Sequence, residues 1–158
     1  MEPVNALVVY YSRTGNTREM AKKIAAELNC EIEEIIDKTS RSGVFGYIRA
    51  GYQAMRKKLS PIETPRKNPA DYDILIVGTP VWGFTLAPPI RTYLKANSGA
   101  AGKIAFFCSM DGSGDEKTFK ALEEASEQKP VATLSTDEHE RKDGYSAKLE
   151  AFIEKIKA

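Results

Sequence analysis

Apolar and polar positions along this chain fall into blocks whose period switches repeatedly between a continuous run and a helical stripe. Leu7, Val8, Val9, Tyr10 and Tyr11 form an unbroken apolar run, which predicts a buried strand over about Ala6 to Tyr10. Met20, Ile24 and Leu28 then recur four residues apart and predict a helix from Thr17 to Leu28. Ile32 to Ile36 reads as a short strand, and Asp73 to Gly78 as a central one covered on both faces. Pro88 and Pro89 open a helix whose buried stripe is Ile90 and Leu94. A strand over Lys103 to Cys108 precedes a charged helix carrying Phe119, Leu122 and Ala125. Val131 to Leu134 is the last strand, and the closing helix runs from about Tyr145 to Ile156. Between the second and third strands, Phe45, Ile48, Tyr52, Met55 and Leu59 predict an additional amphipathic helix around 44–58.

Strands that alternate with helices require crossover connections. The expected fold is therefore α/β, a three-layer sandwich around a five-stranded parallel sheet, with residues 1–158 forming one domain. In this architecture ligands bind beyond the C-terminal ends of the strands, where strand order reverses. Three loops leave those ends, Ser12 to Thr17, Thr79 to Thr85 and Ser109 to Asp115, all rich in Gly, Ser, Thr, Pro and Asp. Their convergence predicts one composite pocket.

Charge and composition narrow the class. With 23 basic and 22 acidic residues the net charge is +1, yet Lys38, Arg41, Arg49, Arg56, Lys57, Lys58, Arg66 and Lys67 are answered in their window only by Glu63. Such a local field steers anionic partners, but no zinc-finger, RNP or basic-zipper pattern accompanies it, so nucleic acid is not expected. No stretch reaches the roughly 20 apolar residues of a membrane span, and no apolar leader follows Met1; a cytoplasmic location is expected. Cys30 and Cys108 lack CxxC spacing and read as buried thiols. His139 is the one histidine, which leaves neither a His-rich metal site nor a Ser/His/Asp triad. No metal ligand set and no catalytic acid, base or nucleophile is assigned.

The chemistry concentrates in Ser12-Arg13-Thr14-Gly15-Asn16-Thr17. A strand that feeds a tight hydroxyl-rich loop, with a helix opening behind it, forms a phosphate cradle: the first-turn N–H groups point into the loop and the helix dipole favours an anion there. Gly15 permits the turn, and Ser12, Thr14, Asn16 and Thr17 add neutral donors suited to a monoester dianion. There is no GxxxxGK[ST] spacing, which argues against a nucleoside triphosphate, and no GxGxxG for a dinucleotide. Arg13 is expected to face solvent.

These residues resemble a known family. Ser12 to Thr17 is similar to the flavodoxin phosphate-loop signature [S/T]-x-T-G-N-T; Thr79-Pro80-Val81-Trp82-Gly83 resembles that family's second loop, and Ser109-Met110-Asp111-Gly112-Ser113-Gly114 stands in the place of its third. The resemblance spans essentially the whole chain. It implies strand order 2-1-3-4-5, the short form of the fold, noncovalent FMN, and electron transfer in one-electron steps to redox partner proteins. It also implies a flavin ring flanked by Trp82, with Gly83 as the peptide hinge facing N5. On this reading Trp82→Ala weakens FMN while leaving the apoprotein's folding nearly intact. The third loop departs from the pattern in carrying no aromatic, so Met110, Phe45 or Tyr47 covers the second ring face or that face stays open. An open face points to the alternative, an FMN-dependent NAD(P)H:quinone or flavin reductase. Near-neutral charge departs from the acidic habit of the family and points to a different docking surface for the redox partner, the basic window; a monomer or weak dimer is the expected assembly.

Overall fold

The computed structural model describes residues 4–39, 59–97 and 99–158. The amphipathic helix expected around 44–58, with Phe45 and Tyr47, lies outside the described residues. The elements alternate from the start: β1 (Ala6–Tyr10), α1 (Asn16–Leu28), β2 (Glu31–Glu34), β3 (Ile74–Trp82), β4 (Thr85–Leu86) and α2 (Pro88–Ala96). The second half adds β5 (Lys103–Ser109), α3 (Asp115–Ser126), β6 (Thr133–Thr136), α4 (Glu138–Asp143) and α5 (Ser146–Lys157).

The sheet runs β2-β1-β3-β5-β6 with every neighbouring pair parallel. Counted over the parallel strands this is the expected order 2-1-3-4-5. A short β4, antiparallel to the end of β3, adds a sixth strand that the apolar pattern did not predict. One apolar layer packs Val8, Tyr10, Ile76 and Phe107 against Met20 and Ile24 of α1 and Phe152 and Ile153 of α5. The opposite layer packs Leu7, Val9, Val77 and Phe106 against Ile90 and Leu94 of α2 and Leu122 of α3. Two helical layers thus cover both faces of the sheet, which is why β1 and the core of β3 are apolar at every position.

Three boundaries differ from the sequence reading. Thr79 to Trp82 is not loop but the last stretch of β3, and Gly83 and Phe84 form the two-residue turn into β4. Both turn residues have positive φ, 58° and 62°, as a type I′ hairpin requires. The second and last strands shift to Glu31–Glu34 and Thr133–Thr136. Their apolar residues still hold sheet contacts, since Ile35 N–H donates to the Tyr10 carbonyl at 2.7 Å and Val131 N–H to that of Ile104 at 2.8 Å. Helix α4 is additional. Its capping box, in which Asp137 accepts from Glu140 N–H while Glu140 accepts from Asp137 N–H, is readable as D-x-x-E.

One close approach fixes the spacing of β3 and β5. Gly78 is the register partner of Phe107. A Cβ at position 78 would fall 2.0 Å from Phe107 Cζ, so the ring occupies the space a side chain would need. Gly78→Ala overpacks this contact and is expected to cost about 1–3 kcal/mol. Urea unfolding checks it; adding Phe107→Leu should restore most of the lost midpoint.

Candidate cofactor site

The first loop is shaped by its own hydroxyls. Tyr11 N–H donates to the Gly78 carbonyl at 3.2 Å, holding the chain to β3 for one residue beyond β1. Ser12 is buried, and its Oγ accepts Gly15 N–H at 3.0 Å, closing the turn. Gly15 then takes φ 102°, ψ −11°, a left-handed conformation that few side chains tolerate. Helix α1 starts directly after it with no side-chain cap, so the amides of its first turn are open toward the loop. Thr14 and Asn16 are exposed at the rim, and Arg13, expected to face solvent, is half-buried. Thr17 points inward: its Oγ1 is 2.7 Å from Ser109 Oγ in a buried hydrogen bond that ties this loop to the end of β5.

The second loop is more structural than its sequence suggested. Thr79 is fully buried, donating to the Pro80 carbonyl at 2.8 Å and accepting from Ala87 N–H at 2.9 Å. Pro80 and Val81 are half-buried. Trp82 is only 8% exposed. Its indole meets Tyr11 edge-on, with centroids 5.5 Å apart and planes at 83°, in the cluster that holds Leu86, Ala87 and Ile90. The expectation that Trp82 is a loop residue dispensable for folding is therefore corrected. Phe84, which the sequence reading passed over, is 58% exposed at the hairpin tip in the left-handed region. Its signal was local: a glycine set between aromatic and β-branched residues in Trp82-Gly83-Phe84-Thr85 marks a tight hairpin.

The third loop is pinned from β6. Ser109 is buried at the base, and Met110 N–H donates to the Thr136 carbonyl at 3.0 Å. Asp111, Gly112 and Ser113 are exposed. Gly114, at φ 107°, precedes α3 as Gly15 precedes α1. A Cβ on Gly114 would lie 2.8 Å from Val81 Cγ1 and 3.2 Å from Phe84 Cδ1, so the second and third loops touch. The structure thus brings all three expected loops together, the first against the third through Thr17 and Ser109, the third against the second at Gly114.

The two helices that open on left-handed glycines differ in what their first turns favour. Helix α3 carries Asp115 and Glu116 there, which already answer its dipole, and Asp115 also accepts from Ser135 Oγ at 2.8 Å. At α1 the first three positions are Asn16, Thr17 and Arg18, and none of them is acidic. Open amides and neutral hydroxyls, with Glu19 as the one acid in the first turn, fit a phosphate monoester at α1. Thiol chemistry does not fit, because burial pushes the Cys108 thiol far up and that of Cys30, with help from Glu31, up to about 11.

Comparison with known proteins agrees with this geometry. The sequence profile of the family described as Flavodoxin matches residues 5–139. A flavoprotein from Lactobacillus acidophilus NCFM, solved in complex with FMN, superposes with a TM-score of 0.73 at 25% identity, covering 89% of this chain and 97% of that one. A flavoprotein from Bacteroides uniformis ATCC 8492 gives 0.75 at 17% identity, with 97% and 99% covered. The flavodoxin, WrbA-like protein from Agrobacterium tumefaciens gives 0.58 at 16%, with 95% and 90% covered. At these identities the last two share the fold alone.

Burial of Trp82 sets an expected outcome. Trp82→Ala removes an indole from a packed cluster and should cost about 3–5 kcal/mol of apoprotein stability. Denaturant unfolding of the apoprotein measures it.

Proposed function

This chain belongs to the flavodoxin family and is an FMN-binding flavoprotein, and we propose that it carries electrons one at a time between protein partners. The observation that carries this reading is the first turn of α1, which opens on Gly15 without a side-chain cap and with no acid before position 19. The amides of that turn, with the Thr14 hydroxyl and the Asn16 side chain at the rim, are the groups assigned to the phosphate. Ser12 and Thr17 are assigned to shaping the loop, since their hydroxyls are engaged with Gly15 and Ser109. FMN, when bound, supplies the electron-transfer chemistry, and the protein supplies orientation and electrostatics.

The remaining roles fall on the other two loops. Gly83 sits in a two-residue turn at φ 58°, and glycine there can reorient its peptide at small cost, which suits the hinge assigned to it. Thr79 and Pro80 set the end of β3 beneath the turn, and Val81 abuts Gly114. The backbone of Ser109, Met110, Asp111, Gly112 and Gly114 is assigned to the flavin side of the pocket. Trp82 is assigned to forming the wall with Tyr11. Protein redox partners, a monomer or weak dimer, and a cytoplasmic setting belong to the same proposal; no helix among the described residues is long and apolar enough to cross a membrane.

One feature favours a second reading. The exposed stretch Asp111-Gly112-Ser113 carries no aromatic to cover a ring face, which suits a reductase that admits NAD(P)H and a quinone or flavin. Mixing the FMN-loaded protein with NADPH in a stopped-flow instrument separates the two. A carrier is reduced negligibly, and reductive titration with an inorganic reductant proceeds in two separated one-electron steps. Fast reduction by NADPH overturns the carrier reading in favour of the reductase. For the phosphate loop, Thr14→Ala should weaken FMN while leaving riboflavin unchanged; equal losses for both ligands overturn the loop assignment.

A further inference from the structure

The phosphate loop contains no lysine; it carries Arg13, and a second cation, Arg18, is held beside it by residues outside the loop. Arg18 Nη2 donates to Glu34 Oε2 at 2.7 Å, and the Tyr10 hydroxyl donates to Glu34 Oε1 at 3.2 Å. The parallel register makes this possible, because Tyr10 and Glu34 are paired at the C-terminal ends of β1 and β2. With one guanidinium nitrogen fixed there, the other, Nη1, lies 4.0 Å from where a Cβ on Gly15 would sit. The cation therefore stands beside the loop backbone at the mouth of the site.

Two observations argue that this placement serves a bound anion. Arg18 is the third residue after the Gly15 cap, where the helix dipole disfavours positive charge. The corresponding position in α4 is Glu140. An arginine there opposes helix stability unless negative charge stands at the turn, where Glu19 is the helix's own acid. Glu34 answers only part of that need, since both side chains are partly open to solvent, at 37% and 29%, and ion pairs of that kind add little to stability. A phosphate dianion in the loop would answer both the dipole and the guanidinium.

Resting on the FMN assignment above, we propose that Arg18 is a specificity-determining residue that makes this loop discriminate FMN from riboflavin by charge. The neutral donors grip the phosphate oxygens, as the loop sequence implies. Arg18 adds long-range attraction for the dianion, and the Glu34–Tyr10 pair keeps its side chain from folding away into solvent.

The test compares dissociation constants for FMN and for riboflavin, read by quenching of flavin fluorescence, in the wild type, Arg18→Gln and Arg18→Lys. Arg18→Gln should weaken FMN about tenfold, equivalent to about 1.4 kcal/mol, with riboflavin unchanged. Arg18→Lys should retain most of the preference, because it keeps the charge. Raising ionic strength should erode FMN affinity more steeply in the wild type than in Arg18→Gln. The apoprotein of Arg18→Gln should melt no lower than the wild type, whereas a residue serving only to staple α1 to β2 would lower it. An unchanged ratio of the two constants, equal losses for both ligands, or Arg18→Lys as weak as Arg18→Gln would overturn the assignment to Arg18 alone. A wild type that takes up no FMN would overturn the cofactor reading with it.

Discussion

Helix α1 begins with backbone donors that no side chain caps, and much of the surrounding chain serves to hold that opening at the edge of the sheet. A buried helix end without partners is unfavourable, so such a start persists where the open amides face solvent or a ligand. The preceding loop cannot collapse to satisfy them. Ser12 holds its own acceptor on Gly15 N–H, and Thr17 is committed to Ser109. The hydroxyls best placed to cap the turn are thus engaged elsewhere, leaving Thr14 and Asn16 exposed at the rim.

The position of that opening follows from packing several residues away. Gly78 lets the Phe107 ring lie against β3, in the same apolar layer as Met20 and Ile24 of α1. That layer seats α1 across the sheet, and the seat brings Thr17 within hydrogen-bond reach of Ser109, 92 residues along the chain. On the opposite layer, Tyr11 and Trp82 join the exit of β1 to the end of β3 through an edge-to-face contact. The two layers thus lock adjacent loops from opposite sides of the sheet. This is the usual advantage of a switch point in an α/β sheet, where neighbouring strands send their connections to different faces.

How much of this was legible depended on whether the cause was local. The phosphate loop was readable because a strand, a glycine turn and a helix start are all set by adjacent residues. The parallel order was readable from element alternation together with the family resemblance. Trp82 was misread because its burial is not local: it needs β4 to fold back on Val81 and Trp82, and Tyr11 to arrive from another strand. The shifts at β2 and β6 arise because edge strands end where their partners end, which their own apolar residues do not encode. The Arg18–Glu34 pair was invisible for the same reason, since only the parallel register places those two side chains together.

Helix starts at the C-terminal edge of the sheet follow local rules in some places and depart from them in others. Helix α4 carries a complete capping box, and the turn at Pro69–Asp71 is capped by Asn68. Helix α2 starts on Pro88 and Pro89, which have no N–H groups left to cap. Beside α2 and α4, two helices open on left-handed glycines without caps, and a phenylalanine is held at φ 62°. A bulky residue in that region is disfavoured by roughly 1–3 kcal/mol and persists only where its surroundings enforce it. Here the β3–β4 pairing and the contact with Gly114 do so. The departures at Gly15, Phe84 and Gly114 thus lie on loops that touch, although their elements are far apart in sequence.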